Sequence, residues 1–175
     1  MNWTEFLRAE AKRGYEITRK LMDEVDPATL AWKPQTGTNW MTVGQLLHHL
    51  TDACGAPCKG FVCGDWGLPP GVKIEDISPE QMLPKAELLP TIDSVEEAKR
   101  LLAEDEKLAL EMIERAGEDA LSNKEMDAPW MPGKRMVLGQ WLFQMVQHLD
   151  RHESQLFYYL KLQGKPVSTV NLWGV

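Results

Sequence analysis

The sequence predicts an all-α fold: a four-helix bundle that forms one domain over residues 1–175. Four stretches repeat apolar residues every three or four positions, which is the period of a helix with one buried face. No stretch shows the sustained alternation of apolar and polar residues that a half-buried strand requires. Each amphipathic helix needs a second apolar surface to cover its stripe, and packing of the four helices against one another supplies it.

Helix one is predicted over residues 2–25. Its apolar stripe is formed by Trp3, Phe6, Leu7, Ala11, Ile17, Leu21, Met22 and Val25. Pro27, Pro34 and Gly37 then lie among short polar residues, a composition typical of loops. We therefore expect a long irregular loop between helices one and two.

Helix two is predicted to begin at a capping box. The hydroxyl of Thr42 can accept a hydrogen bond from a free amide of the first turn, and Gln45, three residues later, can reach back. The apolar stripe that follows is Val43, Leu46, Leu47, Leu50 and Cys54. Four residues that weaken helices follow this stripe: Gly55, Pro57, Gly60 and Gly64. The sequence therefore allows a kink near the end of helix two.

Helices three and four follow two further irregular stretches. Five prolines and two glycines in residues 65–93 predict a long loop, after which Ser94 can cap helix three. We expect helix three to end near Gly117. A second proline-containing loop separates it from helix four, which ends before Gly164 and Pro166. The apolar stripe of helix four is Leu138, Leu142, Met145, Val146, Leu149, Leu156 and Leu160.

The composition argues against several function classes. The net charge is −7 and no cluster of Lys and Arg suits phosphate binding, so no nucleic-acid partner is expected. The first residues contain no continuous apolar run of the kind found in signal peptides or membrane spans, so we expect a cytoplasmic protein without a membrane partner. Cys54, Cys58 and Cys63 are expected to be free thiols, because a structural zinc site would need a second cysteine pair.

All four histidines lie on the predicted helices two and four. His148 and His152 are four residues apart, so their rings project from one face of helix four and can share a metal ion. A hydrogen-bonded surface pair is the alternative explanation of this spacing. On helix two, a rotation of about 100° per residue puts His49 at the border of the apolar stripe and His48 toward solvent. Three imidazoles, from His49, His148 and His152, can therefore meet between the two helices.

A site of three neutral imidazoles suits zinc, nickel, cobalt or iron. Three protein ligands leave coordination positions free for water or a small-molecule substrate, which is typical of catalytic metal sites. The bound metal lowers the pKa of water to about 7 or binds a thiol as its thiolate.

Three carboxylates are predicted to lie within the apolar stripes rather than beside them: Glu10, Asp105 and Glu153. Burial of an ionised carboxylate is unfavourable unless it is paired, so each is a candidate for orienting a ligand, binding substrate or acting as a base. A small rotation of the helices that leaves these groups in water is the alternative. Glu153 is the preferred catalytic candidate because it follows His152. Gln155 is either a hydrogen-bonding neighbour of the site or part of an ordinary polar surface.

Two segments resemble a known family, the DinB-like or YfiT-like metal-dependent proteins. Residues 40–53, WMTVGQLLHHLTDA, are similar to the family's second-helix motif, which leads into a first ligand histidine at His49. Residues 148–167, HLDRHESQLFYYLKLQGKPV, are similar to its last-helix motif, with ligands at His148 and His152. The family often has Arg-Gly directly after the last ligand, where this sequence has Glu153 and Ser154, so the resemblance does not define the substrate class.

The resemblance implies a four-helix bundle, frequently a homodimer, that binds one divalent ion, zinc or nickel, through the three histidines. Related branches include transferases and isomerases that use bacillithiol, mycothiol or glutathione, as well as hydrolases. Our leading hypothesis is an enzyme in which the metal activates a thiol cofactor for transfer to a small electrophile. The alternatives are a hydrolase using metal-bound hydroxide, with Glu153 moving the proton, and a non-catalytic dimeric protein that binds a metal or small ligand.

Overall fold

The structure is a computed structural model and describes residues 2–174. Its elements in chain order are α1 (Trp3–Asp23), α2 (Val43–Leu50), α3 (Gly55–Cys63), α4 (Pro79–Met82), α5 (Val95–Asn123), β1 (Glu125–Ala128), β2 (Met131–Val137), α6 (Leu138–Leu162) and α7 (Thr169–Trp173). The long helices α1, α5 and α6 pack against one another, and α2 and α3 together occupy the fourth position of the bundle. The predicted all-α four-helix bundle is confirmed.

The core is a continuous cluster of aliphatic and aromatic side chains contributed by every long helix. Fully buried members include Leu7, Tyr15, Leu47, Leu102, Trp141 and Leu149. α6 contacts α1, α2, α3 and α5. Side chains on its different flanks therefore face different partners, which matters for the site described below.

The predicted helix two is divided into α2 and α3 by the turn at residues 51–54. The predicted capping box is present: Gln45 N donates to the Thr42 hydroxyl, and Thr42 N donates to the Gln45 side chain. Pro57 lies in the first turn of α3, where its missing amide removes no intrahelical hydrogen bond. The chain can therefore start a second helix at the place where the sequence allowed a kink.

The predicted end of helix three near Gly117 is only partly correct. Gly117 has φ 71° and ψ 157°, so the regular helix is interrupted there, but helical structure resumes and α5 ends at Asn123. Leu121, in this last segment, is completely buried. The apolar contact made by Leu121 favours a second helical segment that the isolated glycine signal did not predict.

The second predicted loop contains a β-hairpin, so the expectation of no strands is wrong in this segment. β1 and β2 pair antiparallel, with Glu125 opposite Val137 and an irregularity between Met126 and Ala128. β2 is mostly exposed, so it lacks the buried face that produces alternation in a sequence. The indole of Trp141 donates to the Met126 carbonyl (2.8 Å) and attaches the hairpin to α6.

Two short helices were also not predicted. α4 lies within the proline-rich loop, and α7 follows the stop signals of helix four and is capped by Ser168. α7 packs against α1. Among residues 2–174, no helix has the length and apolar character needed to cross a membrane.

Candidate metal centre

Three histidines from two packed helices converge on one point. His49 lies in the last turn of α2, and His148 and His152 lie one turn apart on α6. The Nε2 atom of His148 lies 3.2 Å from Nε2 of His49 and 3.1 Å from Nε2 of His152. Within residues 2–174, these three residues form the one group whose potential ligand atoms all lie within 4.8 Å of one another. The neighbouring His48 is not part of it.

The distances from the His148 nitrogen to the other two nitrogens fit a bound metal ion. Zinc–imidazole bonds are about 2.0–2.1 Å long, so two ligand atoms at angles between octahedral and tetrahedral would be roughly 2.8–3.4 Å apart. The measured separations of 3.1 and 3.2 Å lie in this range. The side chain of His49 is 22% exposed, so solvent reaches part of this residue. The three histidines could thus hold an ion and leave a position for a further ligand.

The opposite nitrogens of the α6 histidines are held by oxygen acceptors. Nδ1 of His148 lies 2.9 Å from the Ala53 carbonyl oxygen, and Nδ1 of His152 lies 2.9 Å from Gln155 Oε1. Because these oxygens can only accept, each Nδ1 carries the proton and each Nε2 presents a lone pair. Two lone pairs 3.1 Å apart repel each other unless a cation lies between them. This arrangement is an independent reason to place a metal at this point.

The histidine rings are neutral at physiological pH. Burial lowers the pKa of His49 to about 3, with a further contribution from the neighbouring rings of His152 and His148. Burial also lowers the pKa of His152 to about 4 and shifts the pKa of His148 downward. Protons therefore do not compete strongly with a metal ion near neutral pH.

Asp105, one of the three predicted core-facing carboxylates, is a residue of α5 that is 5% exposed, and its side chain packs against the first residues of α3. It accepts hydrogen bonds from the Tyr15 hydroxyl (2.7 Å) and from three successive amides, those of Cys54 (3.4 Å), Gly55 (3.0 Å) and Ala56 (2.9 Å). These bonds fix the turn that precedes α3. Ala53, whose carbonyl accepts from His148, belongs to this turn, so Asp105 supports the site through the backbone.

Glu10 and Glu153 lie elsewhere, between α1 and α6. Arg13 Nη2 is 3.0 Å from Glu10 Oε2 and 3.7 Å from Asp150 Oδ2. Glu153 is 3% exposed, and burial together with the nearby charge of Asp150 raises its pKa to about 8. Glu153 directly follows His152, so its side chain leaves α6 about 100° further around the helix axis, away from the histidines. The structure does not bring Glu153 into the histidine group, and its catalytic role stays a prediction.

The cysteines are not part of the histidine group. Cys54 and Cys58 are buried, Cys63 is exposed, and all three are free thiols. A hydrogen bond that the Cys58 thiol donates to Cys54, together with burial, raises the pKa of Cys58. Cys63 Sγ lies 3.5 Å from Met112 Sδ. Cys58 is therefore a neutral thiol in the core.

Tyr159 is a neighbour of the site that the sequence analysis missed. Its hydroxyl lies 3.1 Å from the Gln155 side-chain nitrogen, and Gln155 in turn contacts His152. The spacing of four residues between Gln155 and Tyr159 was the available signal, because it places both on one face of a helix. Gln155, for which two roles were open, is the hydrogen-bonding neighbour of the His152 ring.

Comparison with protein families gives a match that includes the whole histidine group. The profile of the DinB superfamily matches residues 10–156. The chain belongs to the DinB superfamily. This confirms the family that the two sequence motifs resembled. Comparison with curated proteins and with solved structures finds no match.

The family assignment and the geometry support the same site. The DinB superfamily is associated with metal binding, and His49, His148 and His152 all lie within the matched residues. The protein is therefore a DinB-superfamily helical bundle with a three-histidine group that could hold one metal ion.

Proposed function

We propose that this DinB-superfamily protein is an enzyme that uses one divalent ion, zinc or nickel, to activate a thiol for transfer to a small electrophile. The observation that carries the proposal is the convergence of three neutral imidazole nitrogens at a site partly open to solvent. His49, His148 and His152 would hold the ion. The open side would admit the thiol and its acceptor.

The charge of the ligand set favours activation of an anion. When bound, a divalent ion stabilises the thiolate form of a thiol at neutral pH. Three neutral imidazoles do not offset the charge of the ion, whereas thiolate or carboxylate ligands would reduce it. The protein would therefore orient the ion and partly shield it from water. The full positive charge of the ion would remain available to the nucleophile.

The position of Glu153, the base predicted for hydrolysis, favours a thiol over water as the nucleophile. A thiol has an ordinary pKa of about 8.5, so it loses its proton on binding without a strong base nearby. Hydrolysis is helped by a group that moves a proton from water, and the predicted group for this role was Glu153. Glu153 lies beside Arg13 and Asp150, around the helix from the histidines. Thiol activation thus does not depend on Glu153, and Asp52, whose Oδ1 lies 3.7 Å from Nδ1 of His49, is the carboxylate that the hydrolase alternative would use.

The test is a thiol-conjugation assay with metal-loaded and chelator-treated protein. Glutathione, bacillithiol and mycothiol would each be offered with an activated aryl halide, and loss of thiol would be followed over time. We expect metal-dependent turnover with one of the thiols, and a reduction on the order of 100-fold or more in His152→Ala. His48→Ala is the matched control, because His48 lies outside the ligand group, and it should retain the rate.

Equal rates with and without metal for every thiol would contradict the proposal. Metal-dependent cleavage of an ester in place of thiol transfer would identify a hydrolase. Stoichiometric metal binding without turnover of either kind would identify a binding protein.

Two further properties are part of the proposal and come from the family resemblance. We expect a homodimer, which light scattering during size-exclusion chromatography would detect as a mass of two chains. We also expect a cytoplasmic location, which cell fractionation would test.

A further inference from the structure

A series of hydrogen bonds runs from the metal ligand His152 to the backbone just before α2. His152 Nδ1 lies 2.9 Å from Gln155 Oε1, and Gln155 Nε2 lies 3.1 Å from the Tyr159 hydroxyl. That hydroxyl lies 3.0 Å from the Met41 carbonyl oxygen. The three side chains share one face of α6 because they are separated by three and four residues. The series therefore connects a ligand on α6 to the loop between α1 and α2.

The direction of every bond in this series is determined by its last acceptor. The Met41 carbonyl can only accept, so the Tyr159 hydroxyl donates to it. The hydroxyl oxygen is then free to accept from the Gln155 amide nitrogen, which turns the amide oxygen toward His152. An oxygen at this position requires the proton of His152 to be on Nδ1. Nε2, which faces His148, is left with its lone pair.

Packing holds Tyr159 in the required position. Its side chain is 2% exposed. The rings of Trp32 and Trp40 contact the Tyr159 ring edge-on, with centroid distances of 5.4 and 6.2 Å. Both tryptophans belong to the loop between α1 and α2, the same loop that supplies the Met41 carbonyl. The ring has little room for another rotamer, so the hydroxyl is fixed relative to that carbonyl.

We propose that Gln155 and Tyr159 are positioning residues that select the Nδ1-protonated tautomer of His152 and direct its Nε2 at the metal. The inference rests on the metal site of the proposed function. Without the Tyr159 hydroxyl, the Gln155 amide can rotate by half a turn and present its NH₂ group to His152. The imidazole proton then moves to Nε2, the atom that the metal needs.

The first test uses metal-free protein with ¹⁵N-labelled histidine. The nitrogen chemical shifts of His152 distinguish the two tautomers of a neutral ring. We expect the Nδ1-protonated form in the wild type and in Gln155→Glu, because a carboxylate also accepts the Nδ1 proton. We expect a mixture of tautomers in Tyr159→Phe and in Gln155→Leu. An Nε2-protonated His152 in the wild type would overturn the proposal.

The second test measures zinc affinity by competition with a chelator, together with the absorption spectrum of the cobalt-substituted protein. Loss of a group that orients a ligand histidine typically lowers metal affinity about 10–100-fold. We expect this loss, and a changed cobalt spectrum, in Tyr159→Phe and Gln155→Leu, with affinity retained in Gln155→Glu. Tyr158→Phe is the matched control, because Tyr158 is the adjacent tyrosine on α6 and is 60% exposed.

The outcomes separate this inference from the proposed function. Wild-type affinity and an unchanged cobalt spectrum in Tyr159→Phe would overturn the positioning role. Neither readout uses turnover, so a protein that shows the expected tautomers and affinities but transfers no thiol would contradict the proposed function alone. Thermal unfolding of the metal-free variants, followed by circular dichroism, shows that each variant is folded during both tests.

Discussion

The two flanks of α6 both carry partly buried titratable groups, but they differ in how those groups are arranged. On the histidine flank, formed by His148 and His152, each ring has an oxygen acceptor for Nδ1, and each Nε2 points at the other rings of the histidine group. On the acidic flank, formed by Asp150 and Glu153, the groups face Arg13 of α1. Within residues 2–174, no hydrogen bond to Asp150 Oδ1 is found, although this atom is buried.

This difference shows that burial of a titratable group does not by itself define a site. Burial shifts the pKa values on both flanks, downward for the histidines and upward for the carboxylates. In each case the shift favours the neutral form. Two features distinguish the histidine flank. Its rings converge on a common point, and their hydrogen bonds fix the tautomer that leaves a nitrogen lone pair at that point. The acidic flank has neither feature, so we expect its groups to affect stability more than metal binding.

The largest effect on stability is expected at Asp105, a buried carboxylate with a full set of donors. Asp105→Ala would leave three amides and the Tyr15 hydroxyl without their acceptor. We expect the free energy of unfolding to fall by about 3–5 kcal/mol, measured by urea denaturation. Glu104→Ala, on the exposed face of the same helix, should change it by less than about 1 kcal/mol. Similar values for the two variants would show that the hydrogen bonds of Asp105 contribute little.

A smaller effect of opposite sign is expected at Glu153. Its pKa is about 8 in the folded protein, above the ordinary value of 4.5. The unfolded chain therefore loses this proton at a lower pH than the folded chain. The stability that the carboxyl contributes is complete below the ordinary pKa and is lost as the pH rises through the folded value.

Glu153→Gln has no such proton, so it should gain stability over the wild type as the pH rises from about 4.5 to about 8. We expect a gain of about 1–3 kcal/mol at the upper end, from urea denaturation in the presence of a chelator. A constant difference across this pH range would show that Glu153 ionises normally in the folded protein.

The sequence predicted the residues of the histidine group because local periodicity contains the necessary information. The spacing of four residues between His148 and His152 and the position of His49 beside its apolar stripe are properties of single helices. Core-facing positions for Asp105 and Glu153 followed from the same stripes, and both residues are buried.

The hydrogen-bond partners of these residues could not be predicted, because they lie far away in the sequence and leave no local pattern. Asp105 meets amides about fifty positions away in the chain, and Tyr159 meets a carbonyl 118 positions away. The hairpin after α5 was missed for a related reason. It is held by the Trp141 indole and by strand pairing, and its exposed residues leave no pattern.

The central claim is that one divalent ion binds to three imidazole nitrogens, and X-ray absorption spectroscopy of the zinc-loaded or nickel-loaded protein tests it most directly. We predict one ion per chain with three imidazole ligands at about 2.0–2.1 Å for zinc. The same spectrum is expected for Glu153→Gln, and one imidazole fewer for His49→Ala. A first coordination shell with cysteine sulfur, or with fewer than three imidazoles in the wild type, would contradict the account.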